Sequence, residues 1–196
     1  RTIQANFPAD KQTAETAWLF LQLVIRRLKD GGRCGIVVPN GVLYGDGVGA
    51  KIKKQLLEEC NLHTVVRLPD GVFEPYTAIP SNLLFFEKTG RTKEVWFYEL
   101  PPPEGRKKYS KTKPLRFEEF AECQRWWSSR TENERAWRVP ISDIEASGYN
   151  LDLHNPSRPD DLAHRAPADL LDEVLVAERA ALEQLETLRA RLDRGL

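Results

Sequence analysis

The chain has 196 residues, 41% of them hydrophobic and 30% charged, with 29 acids balanced by 29 bases. That length allows one domain with a proper core, and the even charge excludes the overall basic excess of a free-standing nucleic-acid binder, so any contact with DNA must be local. Cys34, Cys60 and Cys123 lie far apart with no C-x-x-C pair, which indicates neither a disulfide framework nor a zinc site and fits a reducing cytoplasm.

The longest apolar stretch, AWLFLQLVI at 17–25, is too short to cross a bilayer, and the start of the chain has no signal-peptide pattern, so no membrane role is expected. The sequence opens at Arg1 and contains no methionine, which predicts a segment of a longer protein with further sequence upstream.

From Ala14 the apolar positions 14, 17, 18, 21, 24, 25 and 28 wind onto one helical stripe, ended by Lys29 with Gly31 and Gly32. CGIVV at 34–38 predicts a short strand buried on both faces and stopped by Pro39. Val48, Ile52, Leu56, Leu57 and Cys60 share the face of a second helix, with Lys51, Lys53, Lys54 and Glu58 turned outward. LHTVVRL at 62–68 supplies the next strand, and Pro69-Asp70-Gly71 turns the chain. NLLFFEK at 82–88 and EVWFYEL at 94–100, separated only by Thr89 to Lys93, predict two paired strands. Together these give an α/β layer with a parallel part and an antiparallel edge hairpin.

Beyond Pro101-Pro102-Pro103 the character shifts. Residues 104–113, EGRKKYSKTK, place Arg106, Lys107, Lys108, Lys111 and Lys113 around one tyrosine, a composition that suits a loop beside a phosphate backbone and also a merely solvated loop. Residues 115–137 resume a helical pattern carrying Phe117, Phe120, Trp126, Trp127 and Trp137. These rings serve either a core or the stacking of bases. From Pro167 onward, Leu171, Leu175, Leu182, Leu185 and Leu192 share a heptad-like face, which either folds back or receives a partner helix, a second copy included. The chain thus divides into an α/β part over 1–100, a basic and aromatic-rich helical extension over 101–165, and an amphipathic helix over 166–196.

The stretch PNGVLYGDGVGAK at 39–51 poses the main chemical question. A phosphate-binding P-loop needs Ser or Thr after Gly-Lys, and Gly49-Ala50-Lys51-Ile52 offers no hydroxyl. Gly45-x-Gly47-x-x-Ala50 satisfies the permissive dinucleotide fingerprint, with a helix following and Asp70 beyond the next strand. Against it, Pro39 to Tyr44 separate the strand from the first glycine. A nucleotide-binding, oxidoreductase-like domain using the Gly45 and Gly47 loop is the alternative reading, beside a plain loop turned at Asp46-Gly47. His63, His154 and His164 show no metal-ligand spacing, and no nucleophilic triad can be assembled.

The serial order of TAETAWLFLQLVIRRLKDGGRCGIVVPNGVLYGDG, LHTVVRLPDGVF, TAIPSNLLFFEKTG and SGYNLDLHNP, over roughly residues 10–155, resembles the C-terminal half of the N6-adenine DNA methylases. The likeness is greatest to the modification subunit of Type I restriction-modification systems. The resemblance implies the later strands of a methyltransferase-type, Rossmann-like sheet with an edge hairpin and a helical tail. It implies DNA, a specificity subunit and a restriction subunit as partners, and S-adenosylmethionine as the cofactor of the parent enzyme.

The family's cofactor loop and its Asn-Pro-Pro-aromatic motif belong upstream. Asn155-Pro156 and Asn6-Phe7-Pro8 do not match that motif. The expectation is therefore a chain with no catalytic or cofactor-binding residue of its own, binding no cofactor and inactive alone. What it would contribute is the wall of the target-base pocket: Pro39, Asn40 and Gly41 after one strand, and the segment from Phe73 to Ser81. There Phe73 and Tyr76 are candidates to touch the flipped base, against a core Phe and a surface Tyr.

Overall fold

Trp18, Leu21 and Ile25 recur at helical spacing along α1 (Thr16–Arg27) and are all buried, because an amphipathic helix hides its apolar stripe against the nearest sheet. In α3 (Val48–Glu59) Ile52, Leu56 and Leu57 do the same. The computed structural model describes residues 3–102, 104–105 and 108–158, together with tail positions 175, 176, 178, 179, 181, 182, 184–186 and 189. They belong to two compact units, Arg1–Ser157 and Arg158–Leu196.

The first unit is built on five strands: β1 (Arg33–Pro39), β2 (Asn61–Arg67), β3 (Ser81–Glu87), β4 (Glu94–Glu99) and β5 (Ala136–Pro140). Their order across the sheet is β1-β3-β2-β4-β5. β3 is antiparallel to both β1 and β2, β4 runs parallel to β2, and β5 is antiparallel to β4. β1, β2 and β4 therefore point the same way and bring their carboxyl ends to one edge. Alternate side chains serve opposite faces: Val65, Leu84, Phe86, Val95 and Phe97 join α1 and α3 in one core, while Val66 and Tyr98 join Cys123 and Trp126 of α4 (Ala121–Ser128) in another.

The mixed α/β layer matches the expectation; the edge hairpin does not. β3 and β4 are not paired; they lie on opposite sides of β2. The linker between them crosses the amino end of β2, held by buried Thr92. Its hydroxyl donates to the Cys60 carbonyl at 2.8 Å and accepts from the Leu62 N–H at 2.8 Å, and its own N–H donates to the Leu57 carbonyl at 2.8 Å. A side chain that stands in for a ladder bond lets the six residues Lys88–Lys93 carry the chain across a strand instead of back along it.

β1 is likewise not buried on both faces. It pairs with β3 alone among the described residues, and Val37 is 50% exposed while only Val38 is fully buried. Phe20 and Leu23 on α1 are also exposed. The helical pattern expected over 115–137 holds through Ser128 and then yields to β5, which carries Trp137. Trp126 and Trp137 are buried, the latter stacked on Phe97 at 5.3 Å, so these two rings are core. Phe117 is exposed.

Within the second unit the described positions between 175 and 189 are helical. Leu175, Leu182 and Leu185 are exposed; Leu171 and Leu192 lie outside the described residues. Among the described residues no helix is long and apolar enough to cross a membrane, and no cluster of His, Cys, Asp and Glu could hold a metal ion.

Candidate functional site at the carboxyl ends of the strands

Open α/β sheets place ligands at the carboxyl ends of their parallel strands, and the candidate residues lie there. Pro39 ends β1 opposite Ser81, the first residue of β3. Asn40 and Gly41 lead into the short helix α2 (Gly41–Tyr44). The Asn40 N–H donates to the Pro80 carbonyl at 2.8 Å, and the Asn40 side-chain oxygen accepts from the Asn82 amide at 3.0 Å. Ser81 is buried, its hydroxyl donating to the Ile79 carbonyl at 3.3 Å. That bond braces the start of β3.

Phe73 and Tyr76 belong to the turns between β2 and β3 that leave this same edge. Tyr76 is 92% exposed and Phe73 36%, so Phe73 is no core residue. The basic segment is fastened to this loop. The Tyr109 N–H donates to the Asp70 carbonyl at 2.9 Å, the Lys108 ammonium bonds Glu74 at 2.9 Å, and the buried Tyr109 hydroxyl reaches Glu119 at 2.8 Å. The bond to Glu74 raises the Lys108 pKa. Lys111 and Lys113 are exposed on the same turn, which the Ser110–Lys113 bridge closes. Arg106 and Lys107 lie outside the described residues.

The glycines of the opening loop have a packing explanation. A Cβ on Gly45 would sit 2.7 Å from the Trp18 ring, and one on Gly49 also 2.7 Å from it. Both are small so that α1 can approach. Gly47 adopts φ +58 just before α3, a turn that favours a residue without a side chain.

Four residues make contacts at this edge that the sequence pattern did not predict. Lys53, expected to face outward, is buried: its ammonium donates to the Leu43 carbonyl at 2.6 Å. Burial pushes its pKa down to about 8, partly offset by Asp46 and Asp152. The signal was available, because Gly49, Lys53, Leu56 and Leu57 lie on one helical face. Arg67 ends β2 and pairs with Asp152, whose second oxygen accepts from the Asn40 amide at 3.5 Å. Asn155 is buried and donates to Glu99 at 3.1 Å and to the Glu134 carbonyl at 2.8 Å. This explains the Asn-Pro pair as a structural fastening.

The model of the N-6 DNA methylase family matches residues 2–164. This chain belongs to the N-6 DNA methylase family. It is 52% identical over 197 residues to the methylase subunit of the Type I restriction enzyme EcoEI from Escherichia coli, covering 97% of this chain and 39% of that protein. It is 31% identical to the EcoKI methylase subunit from Escherichia coli K12, covering 72% of this chain and 30% of that protein. Among solved structures, a modification subunit of a putative type I restriction enzyme from Vibrio vulnificus matches with a TM-score of 0.77 and 51% identity, over 82% of this chain and 36% of the other. The chain thus spans well under half the length of these family members.

Proposed function

We propose that this chain is the C-terminal part of a DNA adenine-N6 methylase subunit of a Type I restriction-modification system. It supplies one wall of the target-base pocket and the subunit contacts, and it transfers no methyl group alone. The observation that carries the reading is the convergence at one sheet edge of Pro39, Asn40 and Gly41, the Phe73–Ser81 loop and the basic turn bearing Lys108, Lys111 and Lys113. A base must leave the duplex to be modified, so a pocket wall and a contact to the phosphate backbone are needed side by side. Arg106 and Lys107 extend the same basic run.

Adenine N6 is a weak nucleophile because its lone pair is delocalised into the ring. Its methylation requires acceptors for the amino protons, a ring stacked on the base and a methyl donor held in line. S-adenosylmethionine supplies that methyl group in the parent enzyme. In this chain Tyr76, and Phe73 beside it, offer rings to an extruded base, and Asn40 offers an amide at the strand end. No Asn-Pro-Pro-aromatic run occurs in its 196 residues.

Functionally, 1–100 is the pocket-forming part, 101–165 a basic and aromatic-rich extension, and 166–196 a segment for subunit contacts. The exposed Leu175, Leu182 and Leu185 favour this last role: packing against helices of the specificity subunit, the restriction subunit or a second copy, in the cytoplasm. Sedimentation of a chain truncated after Arg165 tests it; unchanged association refutes it. For the main reading, calorimetry of the chain with S-adenosylmethionine is expected to show no binding, and saturable binding overturns it.

A further inference from the structure

The segment SGYNLDLHNP, which carries Asp152 and Asn155, makes a continuous path across the rim of the site. It leaves α5 (Ile141–Ala146) through two successive left-handed residues, Gly148 at φ +69 and Tyr149 at φ +65. For a tyrosine that conformation costs about 1 kcal/mol or more and persists only when its surroundings enforce it. Here the Tyr149 N–H donates to the Ile144 carbonyl at 2.8 Å, and the Lys54 ammonium lies 5.9 Å from the ring centroid.

Beyond this bend each strand end is tied in sequence order. The N–H of fully buried Leu151 donates at 2.9 Å to the Leu43 carbonyl that also receives Lys53. Asp152 then holds Arg67 at the end of β2 and the Asn40 amide just past β1. Asn155 finally bonds Glu99 at the end of β4 and the carbonyl of Glu134, just ahead of β5.

We infer that residues 149–155 are a strap that fixes the rim of the base pocket, with Asp152 as its positioning residue. The inference rests on the methylase reading above. The amide of Asn40 is held from both sides, its oxygen by Asn82 and its nitrogen by Asp152, so its orientation is set before any base arrives. Asp152 is suited to this because a carboxylate accepts from two donors at once. An asparagine there has one acceptor oxygen and must turn its own NH₂ toward either Arg67 or Asn40, both donors. The Arg67 Nε is buried with no hydrogen-bond partner among the described residues, and Asp152 is the carboxylate that compensates this guanidinium at the rim. The pair is partly exposed, with side chains 20% and 29% accessible. Such a pair adds little to stability, and its value lies in geometry.

The test uses the full-length subunit carrying this chain, assembled with its specificity subunit, on a duplex with 2-aminopurine at the target adenine. Fluorescence on binding reports base extrusion, and methyl transfer to the unmodified duplex reports turnover. Asp152→Asn is expected to reduce both the fluorescence gain and kcat about tenfold, equivalent to one decade in an equilibrium or rate. The KM for S-adenosylmethionine is expected to stay within about twofold, since uniform binding is untouched. Asn40→Ala is expected to match it, and the double variant to be no worse than either single one, because coupled residues are non-additive. Should Asp152→Ala fail to fold, the isosteric Asp152→Asn and the Asn40 cycle carry the decision. Wild-type fluorescence and kcat in Asp152→Asn, or multiplicative losses in the double variant, overturn the strap. A wild-type assembly that transfers no methyl group overturns the methylase reading instead.

Discussion

Gly71 is the position where a single methyl group should separate the two halves of the candidate site. Its φ is +77, and a Cβ built there lies 2.3 Å from the Tyr109 carbonyl oxygen, 3.0 Å from that carbonyl carbon and 3.2 Å from the Tyr109 nitrogen. All three are backbone atoms that cannot rotate away, so Gly71→Ala must push the basic segment off the loop. The left-handed backbone alone costs an alanine about 1–2 kcal/mol. Retreat of Tyr109 also forfeits its N–H bond to the Asp70 carbonyl, worth about 1 kcal/mol. Partial exposure of its buried ring adds roughly 1–2 kcal/mol.

Gly31 provides the control, with φ +76 and nothing among the described residues within 4 Å of its Cβ. Gly31→Ala therefore pays the backbone cost and nothing else. Urea unfolding is expected to show Gly71→Ala less stable than Gly31→Ala by about 2–3 kcal/mol, the sum of the two contact losses. Hydrogen exchange should show the extra opening at 104–113. Equal losses in the two variants, or an unchanged exchange pattern at Tyr109, would refute the reasoning.

Lys53 should leave a mark on alkaline stability. Its folded pKa of about 8 lies below the ordinary 10.5, so between these values the unfolded chain binds more protons and stability rises with pH. Cys60 and Cys123, raised from 9.0 to about 11 by burial, act in the opposite sense, losing stability from about pH 9 to 11. Lys53→Met is expected to remove a rise of up to ~3 kcal/mol; a difference between variant and wild type that is flat from pH 8 to 10.5 rejects the assignment. Replacing Lys111 and Lys113 by Gln should lower the slope of log K against log salt for duplex binding by up to about 1.8, read by fluorescence anisotropy; an unchanged slope removes this turn from the DNA contact. Tyr76→Ala should alter stability by less than ~0.5 kcal/mol, while cutting base extrusion in the assembled enzyme. Normal extrusion would dismiss the ring.

Periodicity made the elements legible. The stripe from Ala14 marks α1, the one from Val48 marks α3, and the apolar runs locate β1 to β4 within a residue or two of their ends. Pairing was not legible, because it is decided by contacts distant in sequence. Thr89 to Lys93 reads locally as a hairpin turn, and only the Thr92 bonds beneath β2 show that the chain crosses over. The same limit hid the strap: Asp152 lies 85 residues from Arg67 and 112 from Asn40, and no local pattern links them. Asn40 and Tyr76 are candidates through resemblance alone, which uses the order of segments where spacing is silent.

The side of β1 that has no partner strand among the described residues is a seam. Its backbone donors and acceptors form a template on which a strand of matching direction can be zipped. The same property makes an isolated chain prone to adhere to its own copies. The charge of Arg33 at one terminus of the seam and the missing N–H of Pro39 at the other narrow the length over which that self-adhesion can run.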